Sequence, residues 1–368
     1  MERETIKRLP WVTVLLLLAV ICTVSWLGAL VIHKSSESDT FGSYRELAGA
    51  PNLEVQIAGD GFVFSDGDTL NCFDSRGKSG WAHQIGQGVQ FNASAYGVAA
   101  WSGRKLTLIN AATGTTTYSG EQDSDVVSAR VGPKYAAVQL DTDTGSEVLV
   151  YEMGGQKIYT AQLEQTSVMD FGFFSSGSLL WVMALDTTGS VPTCEISTYK
   201  PRSMAIVGAI ADTEQLMYSV TFQATSVCCT GVTYYKVYDY TGTEIESLRR
   251  LVYGWYLASA DNTDDPMMAF VPTGQADGSG LMQDVRMMRS NLDQTVHMPF
   301  SCSALLAWRD RVYGFSGDGH VMVAKAGSQK ADAYRMPFYI DRVYGVTDSN
   351  VAVVSSGTWI YLISLGEE

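Results

Sequence analysis

A unit of three or four short strands recurs along most of this chain, and that recurrence constrains the fold more than any single motif. Within residues 53–85 the segments LEVQIAG, GFVFSDG, TLNCFDS and SGWAHQI follow one another, and within 89–120 VQFNASAY, GVAAWSG, KLTLINA and TTTYSG do the same. Apolar and polar residues alternate inside the segments, while Gly, Asp, Asn and Ser punctuate the joins at hairpin spacing. Further units begin near Val126, Ser167, Glu214, Leu251, Cys302 and Asp341, so successive starts lie 36, 37, 41, 47, 37, 51 and 39 residues apart. Beyond the N-terminal segment no stretch sustains a helical period.

One four-stranded sheet has two apolar faces and can bury neither alone, whereas sheets stacked around an axis bury both. Strands that are apolar on both faces, such as Gly97-Val98-Ala99-Ala100-Trp101, fit that arrangement. A two-sheet sandwich of similar length would lack the repeat. We therefore expect an all-β fold, a β-propeller of four-stranded blades over residues 51–368, with eight blades from the eight starts and seven as the alternative count. The eighth unit stops after its third strand, at Leu365, and its missing outer strand is expected from residues 41–49, closing the ring. Residues 33–50 then form a polar tether that contains this strand.

Ahead of the repeat, residues 11–32 (WVTVLLLLAVICTVSWLGALVI) carry no charge, and as a helix they reach roughly 33 Å, enough for the hydrocarbon core of a bilayer. Arg3, Lys7 and Arg8 precede this run, whereas Lys34 is followed by Ser35, Ser36, Glu37, Ser38 and Asp39. The positive-inside bias places residues 1–10 in the cytoplasm and everything after the span outside the membrane. The run is longer than the core of a cleaved leader, Gly28-Ala29-Leu30 is a poor cleavage site, and Ile21 stands where a lipoprotein needs a small residue before Cys22. An uncleaved transmembrane anchor is therefore expected, with a cleaved signal as the competing reading.

Lys and Arg number 25 against 39 Asp and Glu, a net charge of −14. The first 34 residues hold four basic and two acidic side chains, so the remainder carries −16. Such a chain repels phosphate backbones, which excludes nucleic acid as a partner. The cysteines beyond the span, Cys72, Cys194, Cys228, Cys229 and Cys302, are odd in number and irregular in spacing, so no disulfide framework is legible.

The turn between third and fourth strands carries a motif. Asp74, Gly77, Lys78 and Trp81 (DSRGKSGW) form it in the first unit, and Asn110, Thr113, Gly114 and Tyr118 keep the spacing in the second. Glu152, Gly155 and Tyr159, then Asp239, Thr241 and Gly242, are progressively degraded copies. The acidic or amide side chain caps the turn, Gly takes a positive φ, and the aromatic packs between blades. This pattern resembles the quinoprotein-type repeat. With its anchor, the chain is similar to an uncharacterised family of membrane-anchored, quinoprotein-like (PQQ-like) propellers of Gram-positive bacteria. The resemblance implies the propeller fold and carries over no established activity. Propellers similar in architecture include both pyrroloquinoline-quinone dehydrogenases and non-enzymatic outer-membrane assembly scaffolds.

No catalytic constellation accompanies the repeat. A quinone dehydrogenase needs calcium held by carboxylate and amide oxygens and an Asp base, and no such set assembles. His33, His83, His297 and His320 are scattered, and Gly-x-Ser-x-Gly, Walker and dinucleotide signatures are missing. We expect no enzyme and no cofactor, with calcium the one candidate ion. Asp141, Asp143 and Glu147 alternate around Gly145 like the first half of a calcium loop, although a polar hairpin tip explains them as well. Asp261, Asp264 and Asp265 in the run 261–265 read as a solvated acidic loop or, again, calcium ligands. Trp255, flanked by Tyr253 and Tyr256, is the aromatic group best suited to stack on a sugar or grip a peptide, blade packing being the other reading. The loop 274–280, together with 261–265, projects from one unit and marks the expected contact face. The function expected is a non-catalytic binding or scaffolding module of the cell envelope, with a protein partner. The alternatives are a wall-glycan sensor and, more remotely, a quinoprotein-type enzyme.

Overall fold

The computed structural model describes residues 40–366 apart from 51–53, 144, 165, 175, 204, 224 and 276–281. The expected tail 1–10, the span 11–32 and the first part of 33–50 lie outside the described residues, as does most of the loop 274–280. Among the described residues no helix is long and apolar enough to cross a membrane.

Eight antiparallel sheets of four strands make up the described residues. Blades 1 to 7 are each built from one continuous segment: 54–84, 90–121, 126–164, 166–212, 217–251, 255–302 and 304–335. The eighth takes three strands from 342–364 and its fourth from Tyr44–Ala48, at the other end of the folded chain. That strand pairs from Tyr44 opposite Ile363 to Ala48 opposite Trp359, and the Tyr361 hydroxyl donates to Glu46 Oε2 at 2.8 Å. The ring thus holds eight blades and is closed by non-local pairing.

Burial grades outward through each blade as the strand patterns require. Second strands such as Gly61–Ser65 and Ser226–Gly231 are buried throughout, whereas the outer strand Ser79–Gln84 is half exposed. Eight clusters of buried apolar side chains fill the gaps, one between each pair of neighbouring blades. Between blades 1 and 2, for example, Val63 and Leu70 meet Phe91, Val98 and Ile109. Polar side chains tie the inner strands together around the axis. Gln56 donates to Phe91 O at 2.7 Å and accepts from Ala93 N, and Ser259 accepts from Ala307 N at 2.9 Å.

Two of the sequence-based starts fall inside the preceding blade. Leu251 pairs with Tyr234 as the last residue of blade 5, and blade 6 begins at Trp255. The outer strand of blade 5 is only Arg250–Leu251, because 240–249 runs as an irregular cover with a short 3-10 turn at Glu246–Leu248. Cys302 closes the outer strand Leu292–Cys302 of blade 6, pairing with Met282, so blade 7 starts at Ala304.

Because strand direction alternates, the turns joining first to second and third to fourth strands share one face of the ring, here the lower. The second-to-third hairpins and the blade-to-blade connections share the upper face.

Candidate interaction face

The repeat motif builds the seams between blades. Asp74 Oδ1 accepts from Arg76 N and Lys78 N at 3.0 and 2.8 Å, and Asn110 Oδ1 accepts from Ala112 N and Thr113 N at 2.9 and 3.1 Å. Asp239 Oδ1 does the same for Thr241 N and Thr243 N, and the Thr241 hydroxyl, followed by these amides, holds its carboxyl below the usual range. In the first two motifs the aromatic leans on the turn of the next blade. Trp81 donates its indole N–H to Ala111 O at 2.7 Å and covers Gly114, where a Cβ would stand 2.6 Å from the indole and φ is +68°. Tyr118 covers Gly155 in the same way, and Leu47 of the closing strand covers Gly77. In blade 4 the position equivalent to Trp81 is Gly208, so the Gly242 turn of blade 5 approaches the strand backbone at Ala209 instead. Asp74, Gly77, Trp81, Asn110, Thr113, Gly114, Tyr118, Asp239 and Gly242 therefore shape the ring rather than a ligand site.

The acidic candidates do not converge. Glu147 stands opposite Leu140, whereas Asp141 stands opposite Ser146. Strand alternation therefore turns Glu147 to the other sheet face from Asp141. Glu147 also accepts from Gln162 Nε2 at 2.6 Å. The run 261–265 is not uniformly solvated: Asp261 is buried and caps Thr263, and Asp265 meets Arg289 at 3.3 Å. Among the described residues no group of three His, Cys, Asp or Glu is placed to hold a metal ion.

The aromatic candidates and the acidic run occupy opposite ends of one strand. Trp255–Ala260 is the inner strand of blade 6, and Trp255 pairs with Pro272 while Ala260 pairs with Met268. Tyr253 and Trp255 thus lie at the upper face and 261–265 at the lower. Thr273–Gln275, after Pro272, also lie at the upper face, so the described start of the loop 274–280 does not share a surface with 261–265 as the sequence suggested. Trp255 is half-buried, with the Arg286 guanidinium 5.9 Å from its ring, while Tyr256 stacks on Tyr218 at 5.1 Å. Tyr253 projects, at 75% exposure.

Around Tyr253 the upper face gathers apolar residues that no local window of sequence brings together. Leu216, Val232 and Leu251 are all exposed. They are contiguous through the backbone: Val232 N donates to Leu216 O at 3.1 Å, Val252 N donates to Thr233 O at 2.8 Å, and Leu251 pairs with Tyr234. Beneath them lies a buried ion network. Lys236 Nζ, on a side chain 3% exposed, sits 2.9 Å from Asp212 Oδ2 and 2.6 Å from Glu214 Oε2. Burial would lower the Lys236 pKa, but its bonds to Glu214 and Asp212 outweigh that and raise it. Glu214 is correspondingly lowered by Lys236. Arg249 adds a two-pronged pair with Glu244 at 2.6 and 2.7 Å. The network fixes the connection 212–216 against blade 5, so the patch is rigid. A lysine in the middle of the apolar strand YYKVYD was the one sequence signal for it.

No family model and no curated protein matches the chain. Among solved structures, Sqt1 from Saccharomyces cerevisiae has a TM-score of 0.60 at 10% identity, covering 90% of this chain and 100% of its own. The WD40 domain of SCAP from fission yeast gives 0.59 at 9% identity, over 89% and 98%. BamB from Moraxella catarrhalis gives 0.54 at 12%, over 88% and 99%. Likeness at such identities concerns the fold, and the chain is an all-β, eight-bladed propeller of four-stranded blades.

Proposed function

We propose that this chain is a non-catalytic, protein-binding module that docks its partner on the upper face of blades 5 and 6. The observation that carries the reading is the rigid, contiguous apolar surface formed by Leu216, Val232, Leu251 and Tyr253. Contiguous apolar surface on a soluble body marks a contact site, and a projecting Tyr anchored on a fixed frame is the residue type that dominates such contacts. The architecture shared with BamB and the WD40 domain fits an interaction module. Residues 11–32, uncharged and preceded by Arg3, Lys7 and Arg8, anchor the chain, and the propeller faces outward from the cytoplasm, as in a PQQ-like envelope protein. The docking of Trp81 on Gly114 supports the quinoprotein-type repeat.

Site-specific photocrosslinking in the native membrane tests this. A benzophenone side chain at position 253 is expected to give one discrete protein adduct, and the same group at the exposed lower-face Tyr96 is expected to give none. Absence of an adduct at 253, or equal adducts at both positions, refutes the proposal.

A further inference from the structure

At the upper mouth of the ring, where blades 7, 8 and 1 meet, a cavity of about 830 Å³ opens between the first residues of three inner strands. Its polar lining includes Glu54, Ser303, Asp341, Arg342, Tyr344 and Ser355. This is the size range of sites for small organic ligands.

Two of these side chains have no partner among the described residues. Other arginines are engaged, Arg130 by Asp170, Arg249 by Glu244 and Arg286 by Asp293, and Arg104 and Arg250 by the carbonyl oxygens of Gln122 and Ser247. The Arg342 side chain makes no ion pair, hydrogen bond or ring contact with any described residue, although acids outnumber bases in the chain. Glu54, at the same position on the adjoining inner strand, is equally unengaged, and the two do not pair with each other. The other polar groups of the lining are held in place. Asp341 Oδ2 accepts from Gly357 N at 2.6 Å, and the Tyr344 hydroxyl donates to Ser355 Oγ at 3.1 Å. The cavity therefore presents one open guanidinium fork and one open carboxylate on a fixed polar frame.

We infer that this cavity binds a small dipolar ligand that carries both a carboxylate and an ammonium group, a free amino acid or a short peptide. A guanidinium matches a carboxylate with two parallel hydrogen bonds, and Glu54 is the complementary acceptor for the ammonium. A purely anionic ligand could pair with Arg342 but would stand against Glu54, Asp341 and a net charge of −14, and a cationic one would leave Arg342 unmatched. The site is separate from the apolar patch on blades 5 and 6, so it stands or falls independently of the protein-binding reading.

Saturation-transfer NMR and calorimetry on the full-length chain test it, with alanine, trialanine and trialanine blocked at both ends as probes. Unblocked trialanine or alanine is expected to bind with a Kd of about 1 mM or tighter, the better of the two showing whether a peptide or a free amino acid fits. Blocking both ends is expected to weaken binding about tenfold, as are Arg342→Gln and Glu54→Gln separately, with melting temperatures unchanged. Equal binding of the blocked peptide, retention of full affinity in either variant, or no binding of the free compounds at about 10 mM overturns the proposal. The blocked-peptide comparison needs no variant and so does not depend on a substitution folding correctly.

Discussion

The ion network below the apolar patch gives the sharpest stability prediction. Lys236 and Asp212 have side chains 3% and 1% exposed, so replacing Lys236 by Met leaves the Asp212 carboxylate buried without its cation. Breaking one partner out of a buried pair costs about 3–5 kcal/mol. Asp212 keeps two other donors, Glu214 N at 2.9 Å and Gln215 Nε2 at 3.3 Å, which puts the cost near the lower end, about 3 kcal/mol. For a folded body of roughly 300 residues this is a fall in melting temperature of about 5 °C. Removing both charges, in the double variant Lys236→Met with Asp212→Asn, is expected to return stability to within about 1 kcal/mol of the parent, because no uncompensated charge remains. Glu214→Gln, whose side chain is 54% exposed, is expected to cost well under 1 kcal/mol, roughly the value of an exposed pair. Chemical denaturation of the parent, the singles and the double closes the cycle. The reasoning is refuted if Lys236→Met melts with the parent, or if the double variant is no more stable than that single one.

Four further outcomes follow from the seams and the titratable groups. Trp81→Ala is expected to cost about 3 kcal/mol by emptying the space over Gly114, read from the denaturation midpoint. Gly114→Ala, at φ +68° and against the Trp81 indole, is expected to cost about 2 kcal/mol or more, whereas Gly254→Ala, at φ +83° with open space around it, costs about 1 kcal/mol. Burial lifts the thiol of Cys302 to about 12, and burial followed by Asp74 lifts that of Cys72 to about 11. Iodoacetamide at about pH 8 should therefore leave both unmodified in the native protein and alkylate both after unfolding, as read by peptide mass. The carboxyls of Glu214, Asp239 and Asp318 titrate below their ordinary values, so the stability they contribute is present above about pH 4.5 and is lost as pH falls through the lowered values. Lys236, raised, contributes fully below its ordinary 10.5 and loses that contribution as pH rises through its higher folded value. Melting temperature against pH should accordingly be flat between about pH 5 and pH 8, fall on the acid side below that window, and fall on the alkaline side as the buried thiols Cys72 and Cys302 ionise in the unfolded chain.

What the sequence showed and hid divides along the line between local and non-local physics. The strand repeat and the Asp-to-Trp turn are local, because the cap and the turn lie within a few residues, and blades 1 and 2 could be drawn strand by strand. The missing outer strand was legible as well, since a unit with only three strands needs a fourth and residues 41–49 precede the first unit; the strand observed is Tyr44–Ala48. The boundary of blade 5 is hidden in the sequence, because an irregular cover replaces a full outer strand and leaves Leu251 resembling the start of the next unit. Hidden too is the burial of Asp261, which sits among exposed Asn262 and Asp264 but is turned inward by its hairpin to Thr263. The upper-face patch was out of reach, because Leu216, Val232 and Tyr253 are separated in the chain and meet only through the pairing of blade 5 with its connections. Tyr253 and Trp255 drew attention as aromatics, while the side chains that frame Tyr253 are ordinary Leu and Val.

The seams vary around the ring in a way that bears on where a partner could dock. Leu47 on Gly77, Trp81 on Gly114 and Tyr118 on Gly155 are successive copies of one joint, joining blade 8 to 1, 1 to 2 and 2 to 3. The next aromatic, Tyr159, is left 39% exposed, and the turn Pro201–Ser203 of the following blade has no glycine for it to cover. In blade 4 the aromatic has become Gly208, and beyond it blade 5 keeps only two residues of outer strand. The regular joints therefore lie beside the non-local closure of blade 8, where a break would open the whole ring. The irregular joints lie among blades 3 to 6, where stability is supplied instead by the apolar clusters and the Lys236 network. Freed from the geometric demand of the motif, those blades carry the projecting Leu251 and Tyr253, and a surface can diversify there without opening the ring.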